Sequence, residues 1–137
     1  MLVTGGCYCG ELRYAISTEP LFRAQCHCRQ CQYFTGGHPQ VAMAVARSGF
    51  SYTVGRPAAY TREDLESPAT REFCGNCGVH VAARTPALPD AVLIRPGTLD
   101  DPSIFGRPEI AVFAAEKQVF HHVPDDVPCF DGIPHSE

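Results

Sequence analysis

The chain is 137 residues long with a formal net charge of −4 and no tryptophan, and its 45% hydrophobic and 19% charged content is that of a folded globular protein rather than a disordered one. That length suffices to bury roughly two-thirds of the extended surface, so one domain over residues 1–137 is the simplest expectation. No run of Lys or Arg offsets the acidic balance, which removes the usual electrostatic footprint of nucleic-acid binding, and apolar stretches such as residues 41–46 fall far short of a membrane span.

The opening six residues lack the basic stretch and apolar run of a signal peptide, and a cytoplasmic location is expected. Residues 11–17 alternate polar and apolar side chains as a half-buried strand does, and Glu19-Pro20 ends it. Residues 21–28 read as a second strand, on which Cys26 and Cys28 share one face and His27 takes the other. A helical turn over 29–35, stopped by Gly36-Gly37, brings Cys31 to the side of Cys28. Further short strands are expected at 40–47, 50–53, 58–61, 71–74, 79–84, 91–95 and 109–113, separated by Gly- and Pro-rich turns. Thr98 and Asp101 can cap a helical turn near Pro102, and the Pro-bearing tail after His121 reads as an irregular segment lying over the body. Many short antiparallel strands make a mainly β domain.

Seven of the eight cysteines fall into clusters. Cys7-Tyr8-Cys9 and Cys74-Gly75-Asn76-Cys77 supply four thiols, and Cys26-His27-Cys28-Arg29-Gln30-Cys31 supplies three. In a reducing compartment these spacings favour metal binding or thiol chemistry over disulfides, a secreted disulfide framework being the rival. Four thiolates fill the tetrahedral shell of a structural zinc, whereas three leave a position for water or substrate, as catalytic sites do. Gly10 and Gly78 follow a cysteine directly and permit the tight turns in which backbone N–H groups approach sulfur. The alternative is four buried thiols without metal.

For the three-thiol set, an open zinc position suits delivery of an incoming thiol as thiolate better than activation of water, because three thiolates weaken the Lewis acidity. A redox pair of Cys28 and Cys31 is the competing reading, without the βαβ pattern that usually carries it. His38 is near enough in sequence to serve as a ligand or proton shuttle, and Cys129, alone in the tail, as a small apolar filler or a functional thiol.

Gly6-Cys7-Tyr8-Cys9-Gly10, Cys26-His27-Cys28-Arg29-Gln30-Cys31, Phe73-Cys74-Gly75-Asn76-Cys77-Gly78 and Gly97-Thr98-Leu99-Asp100-Asp101-Pro102 together resemble, in order and over nearly the whole chain, the glutathione-dependent formaldehyde-activating enzyme family, also called the CENP-V/GFA family. The resemblance implies an Mss4-like, or β-tent, fold with two zinc ions. Cys7, Cys9, Cys74 and Cys77 would be the structural set, and Cys26, Cys28 and Cys31 the catalytic set. It further implies a carbon–sulfur lyase that joins glutathione to formaldehyde as S-hydroxymethylglutathione. Its partners would be a small thiol and an aldehyde, with neither nucleic acid nor membrane. Family members often carry basic residues straight after the third cysteine of this motif, where Gln32-Tyr33-Phe34 stand here. The carboxylates of glutathione call for Arg or Lys partners. Arg29, Arg47, Arg71 and Arg95 are the candidates, each expected at the surface, while Tyr33 and Phe34 are expected in the core or in a pocket wall. Mss4-like folds also serve as zinc-stabilised interaction modules, which is the alternative class of function.

Overall fold

The computed structural model describes residues 2–134, so the expected 1–137 domain extends past the described residues at both ends. The described residues form ten strands and one α-helix, arranged in two sheets. Strands β1 (Val3–Gly6), β2 (Arg13–Ile16) and β5 (Phe50–Val54) make a three-stranded antiparallel sheet in the order β1-β2-β5. The larger sheet contains β3 (Phe22–Cys26), β4 (Gln40–Ala46), β6 (Ala58–Thr61), β7 (Thr70–Phe73), β8 (His80–Arg84), β9 (Ala91–Ile94) and β10 (Ile110–Val112). Its order is β10-β3-β4-β9-β8-β7-β6.

The mainly β expectation holds, with one correction to its antiparallel character: β10 runs parallel to β3, Ala111 opposite Gln25. A parallel neighbour needs a long return connection, and residues 27–109 provide one. The tail then covers the outer edge of β10. Ala111 N–H donates to the Pro128 carbonyl at 2.8 Å, and Phe130 N–H donates to the Ala111 carbonyl at 2.9 Å, so that edge is not left open.

β1 is an addition to the expected strands. Its Gly5 and Gly6 disguise it, yet a Cβ on Gly5 would lie 2.3 Å from the Tyr14 hydroxyl oxygen and 2.4 Å from the Thr98 carbonyl oxygen. Glycine is therefore what lets β1 lie this close to β2 and the Thr98 turn. The expected helical turn near Pro102 forms as a 3-10 turn at Pro102–Phe105, capped by Asp101, whose carboxylate accepts from Ser103 N–H at 3.1 Å.

Tyr14 and Ile16 of β2, Met43 and Val45 of β4, Val81 of β8, and Val92 and Ile94 of β9 are essentially inaccessible and belong to one core. Each such side chain contributes about 1.5–3 kcal/mol. The sheets are also tied by polar contacts: Tyr52 of β5 donates to Glu72 of β7 at 2.7 Å, and Arg84 pairs with the same carboxylate at 2.9 Å. Helix α1 (Arg29–Thr35) starts directly after the β3 end, with Cys28 as its N-cap and Gly36, at φ 83°, as its left-handed stop. The expected strand over 21–28 is thus shorter, because Cys28 already belongs to the helix cap.

Candidate functional site

The first cluster grows from two similar turns. In the β1–β2 turn, Cys7 N–H donates to the Leu12 carbonyl at 2.9 Å; in the β7–β8 turn, Cys74 N–H donates to the Val79 carbonyl at 3.0 Å. Gly10 at φ 84° and Gly78 at φ 77° supply the left-handed residue each turn needs. Backbone N–H groups then point at sulfur, Leu12 N to Cys7 Sγ at 3.2 Å and Cys77 N to Cys74 Sγ at 3.4 Å. Such donors favour the thiolate form that a metal requires.

The four sulfurs of Cys7, Cys9, Cys74 and Cys77 lie within 4.8 Å of one another. The Cys7–Cys9 and Cys9–Cys74 separations are 3.6 and 3.7 Å. Tetrahedral zinc with sulfur at about 2.3 Å places its ligands about 3.8 Å apart, so the donor set fits such an ion. Cys7 and Cys74 are buried members of the core, and the cluster joins a turn of the small sheet to a turn of the large one.

The second cluster, Cys26, Cys28 and Cys31, also has its three sulfurs within 4.8 Å of one another and is partly buried. Cys26 ends β3, Cys28 caps α1 and accepts from Cys31 N–H at 3.3 Å, and Cys31 sits on the first helical turn. Contacts from Cys26 and Cys31 hold the Cys28 thiol far below the usual range, with the Arg71 charge helping, while the Cys28 and Cys31 sulfurs push Cys26 far above it. Both clusters can hold a metal ion.

His27, His38 and Cys129 belong to neither cluster. His27 is wholly buried, its Nδ1 2.9 Å from His121 Nδ1, and His121 Nε2 lies 2.7 Å from the Gly37 carbonyl oxygen. This pair pins the tail against the turn after α1. His38 is exposed with its ring edge-on to Phe120, and Cys129 is exposed on the tail. Gln32, the one buried residue of α1, donates to the His27 and Glu116 carbonyls at 2.9 and 3.0 Å.

The arginines need correction. Arg71 and Arg95 are buried, 8% and 7% exposed, rather than on the surface. The three thiols supply the electrostatic reason: burial draws Arg95 down to about 10, but Cys31, Cys26 and Cys28 act in the opposite direction, and the group stays cationic at neutral pH. Arg71 lies 4.0 Å over the ring of Phe34. Arg29 and Arg47 are exposed as expected.

His80 was not singled out by the sequence. Its Nδ1 faces Arg95 Nε at 3.5 Å, its ring packs on Phe34, and its buried Nε2 has no partner among the described residues. Burial, then the charges of Arg95 and Arg71, hold its imidazole down to about 3. The available signal was a single histidine within the otherwise apolar run 79–83. No helix is long and apolar enough to cross a membrane among the described residues.

Comparison with known proteins gives consistent results. A family profile described as glutathione-dependent formaldehyde-activating enzyme matches residues 2–116. A Halomonas elongata protein that carries the same enzyme designation is 31% identical over 100 residues, covering 67% of this chain and 62% of that protein's length. The chain thus spans under two-thirds of that relative. A crystal structure of a Rhodobacter sphaeroides protein superposes with a TM-score of 0.61 at 19% identity, over 77% of this chain and 96% of that one, a likeness of fold.

Proposed function

The chain belongs to the glutathione-dependent formaldehyde-activating enzyme family, and from that premise we propose that it is a zinc-dependent carbon–sulfur lyase acting on the adduct of a small thiol and an aldehyde, in the first instance glutathione and formaldehyde. Cys7, Cys9, Cys74 and Cys77 hold a structural zinc, and Cys26, Cys28 and Cys31 hold a catalytic one. A cytoplasmic location belongs to the same reading, since the seven clustered thiols must stay reduced to serve. The observation that carries the proposal is a three-thiol cluster beside two buried guanidinium groups, the Arg71 charge acting on Cys28 and the three thiols acting on Arg95.

Zinc at this cluster would supply an open ligand position that favours the thiolate form of an incoming thiol at neutral pH. The protein supplies the charge balance. Three cysteine thiolates and a substrate thiolate carry four negative charges against a divalent cation, and Arg71 and Arg95 provide the remaining two positive ones. The substrate sulfur's electron pair then forms the bond to the aldehyde carbon, and the carbonyl π pair moves to oxygen, which takes up one proton in place of the one the thiol released to solvent. The reverse direction breaks the same carbon–sulfur bond. His80, held neutral, adds no third positive charge to this corner.

Zinc content and X-ray absorption on the purified protein, before and after glutathione, test the proposal. The expected result is two ions per chain, one in all-sulfur coordination and one that exchanges a light-atom ligand for sulfur when glutathione is added. A single zinc per chain, or a spectrum unmoved by any thiol, would overturn it.

A further inference from the structure

Between α1 and the β6–β7 edge lies an open cleft of about 370 Å³. Arg29, Tyr33 and Phe34 approach it from the helix, Tyr60 and Arg71 from the strands, and Arg62 from the turn beyond β6. On a chain of net charge −4, three arginines share this cleft and no acidic residue lines it. Tyr33 and Phe34 are exposed here, so the pocket-wall expectation for them holds and the core one does not.

The three cations are not equivalent. Arg62 is already engaged, its guanidinium donating to both carboxylate oxygens of Asp64 at 2.8 and 3.1 Å. Arg29 lies 5.1 Å from the Tyr33 ring centroid and donates to the neutral Gln32 side chain. Arg71 rests on the face of Phe34, and neither it nor Arg29 has a carboxylate partner on its guanidinium among the described residues. A buried guanidinium lacking a carboxylate is strongly disfavoured unless an anion compensates it. For Arg71 the thiol cluster does so on one side, since its charge acts on Cys28. On the other side it lines the cleft.

We propose that this cleft is a carboxylate-recognition subsite for the thiol substrate, with Arg71 and Arg29 as its anion-binding groups and Tyr33, Phe34 and Tyr60 as its apolar walls. The chain thereby selects small thiols that carry carboxylates over thiols that lack them. Arg71 is the joint of the arrangement, because it serves the sulfur-binding cluster and the subsite together. The basic residues absent after Cys31 are replaced by one from the helix start and one from β7, a distant strand. The inference rests on the reading of Cys26, Cys28 and Cys31 as the sulfur-binding centre.

Calorimetry on the zinc-loaded protein with three probes separates the two readings. S-methylglutathione has carboxylates and no free thiol, cysteamine has a thiol and no carboxylate, and glyoxylate places a carboxylate on an aldehyde. S-methylglutathione should bind the parent, and Arg71→Gln and Arg29→Gln should each weaken it about tenfold or more, the loss expected for one charge-assisted hydrogen bond. Arg71→Lys should recover part of that loss, and Arg29→Gln, at an exposed position, keeps the test valid if Arg71→Gln fails to fold. Cysteamine should be indifferent to Arg29→Gln.

Equal binding of S-methylglutathione to parent and both variants would overturn the subsite, even if glutathione and cysteamine still enter the zinc shell. Arginine-dependent binding of S-methylglutathione without any thiol response at the metal would leave the subsite standing and remove the lyase reading. Arginine dependence seen with glyoxylate but not with S-methylglutathione would move the carboxylate to the aldehyde and overturn the thiol assignment.

Discussion

Replacing Cys7 and Cys9 together by Ser removes every sulfur that the small sheet contributes to the four-thiol cluster. Cys9 and Cys74 are 65 positions apart and their sulfurs 3.7 Å apart, so an ion between them closes a long loop. Treated as a cross-link of that length, it removes about 4 kcal/mol of chain entropy from the unfolded state. For 137 residues at about 2.1 cal/mol/K each, the melting entropy is about 0.29 kcal/mol/K, and the loss corresponds to about 14 °C. Cys28→Ser is the matched control. Cys26, Cys28 and Cys31 close no long loop, and Ser is a good helix N-cap that can replace the sulfur accepting from Cys31 N–H. Its melting temperature should fall by only about 2–4 °C on the same scale, while thiol binding and activity are lost. Melting followed by circular dichroism, with zinc content measured on each sample, decides the matter. A double variant melting within about 3 °C of the zinc-loaded parent would refute the cross-link argument, and a Cys28→Ser variant falling as far as the double variant would make both clusters structural.

Three further outcomes follow from the geometry. Gly5→Ala forces a methyl group against the Tyr14 hydroxyl and the Thr98 carbonyl, and should lower stability in urea by about 1–3 kcal/mol; a change under about 0.5 kcal/mol would mean that β1 yields easily. The parent should lose stability as pH falls from 6.5 toward 3, because the unfolded chain protonates His80 there and the folded protein does not; His80→Gln should flatten that limb in urea titrations, and an unchanged limb would contradict the burial argument. Asp100, held down to about 2 by Arg13 and Thr4, stabilises the fold above pH 3.8 and loses that effect as pH falls toward 2, so Asp100→Asn should reduce the acid limb below 3.8 and leave the limb above it unchanged.

The cysteine clusters were legible in the sequence because each half-site is local. CxC and CxxC spacings, followed by glycines that allow left-handed backbone, write the turn and its thiols within a few positions. The stop of α1 at Gly36 was legible for the same reason. What was not legible depends on strand pairing. Arg71, His80 and Arg95 come from β7, β8 and the residue after β9, and only the sheet order brings them together, Arg71 and His80 against Phe34 and Arg95 against His80. Adjacent residues on β7 illustrate the difficulty: Glu72 reaches Tyr52 of the small sheet, whereas Arg71 packs on α1, and nothing in the local sequence says which charge turns inward. β1 was hidden by glycines whose purpose is set by Tyr14, across the next turn, and by Thr98, far along the chain.

The split of the four-thiol cluster between two distant turns also has a meaning in time. At synthesis rates of about 5–20 residues per second, the 65 positions from Cys9 to Cys74 take about 3–13 seconds to make. Through that interval Cys7 and Cys9 are a pair of thiols whose partners in the cluster do not yet exist. The nascent chain therefore depends on its surroundings to keep this pair reduced, and the four-thiol cluster is complete only once the β7–β8 turn has been made.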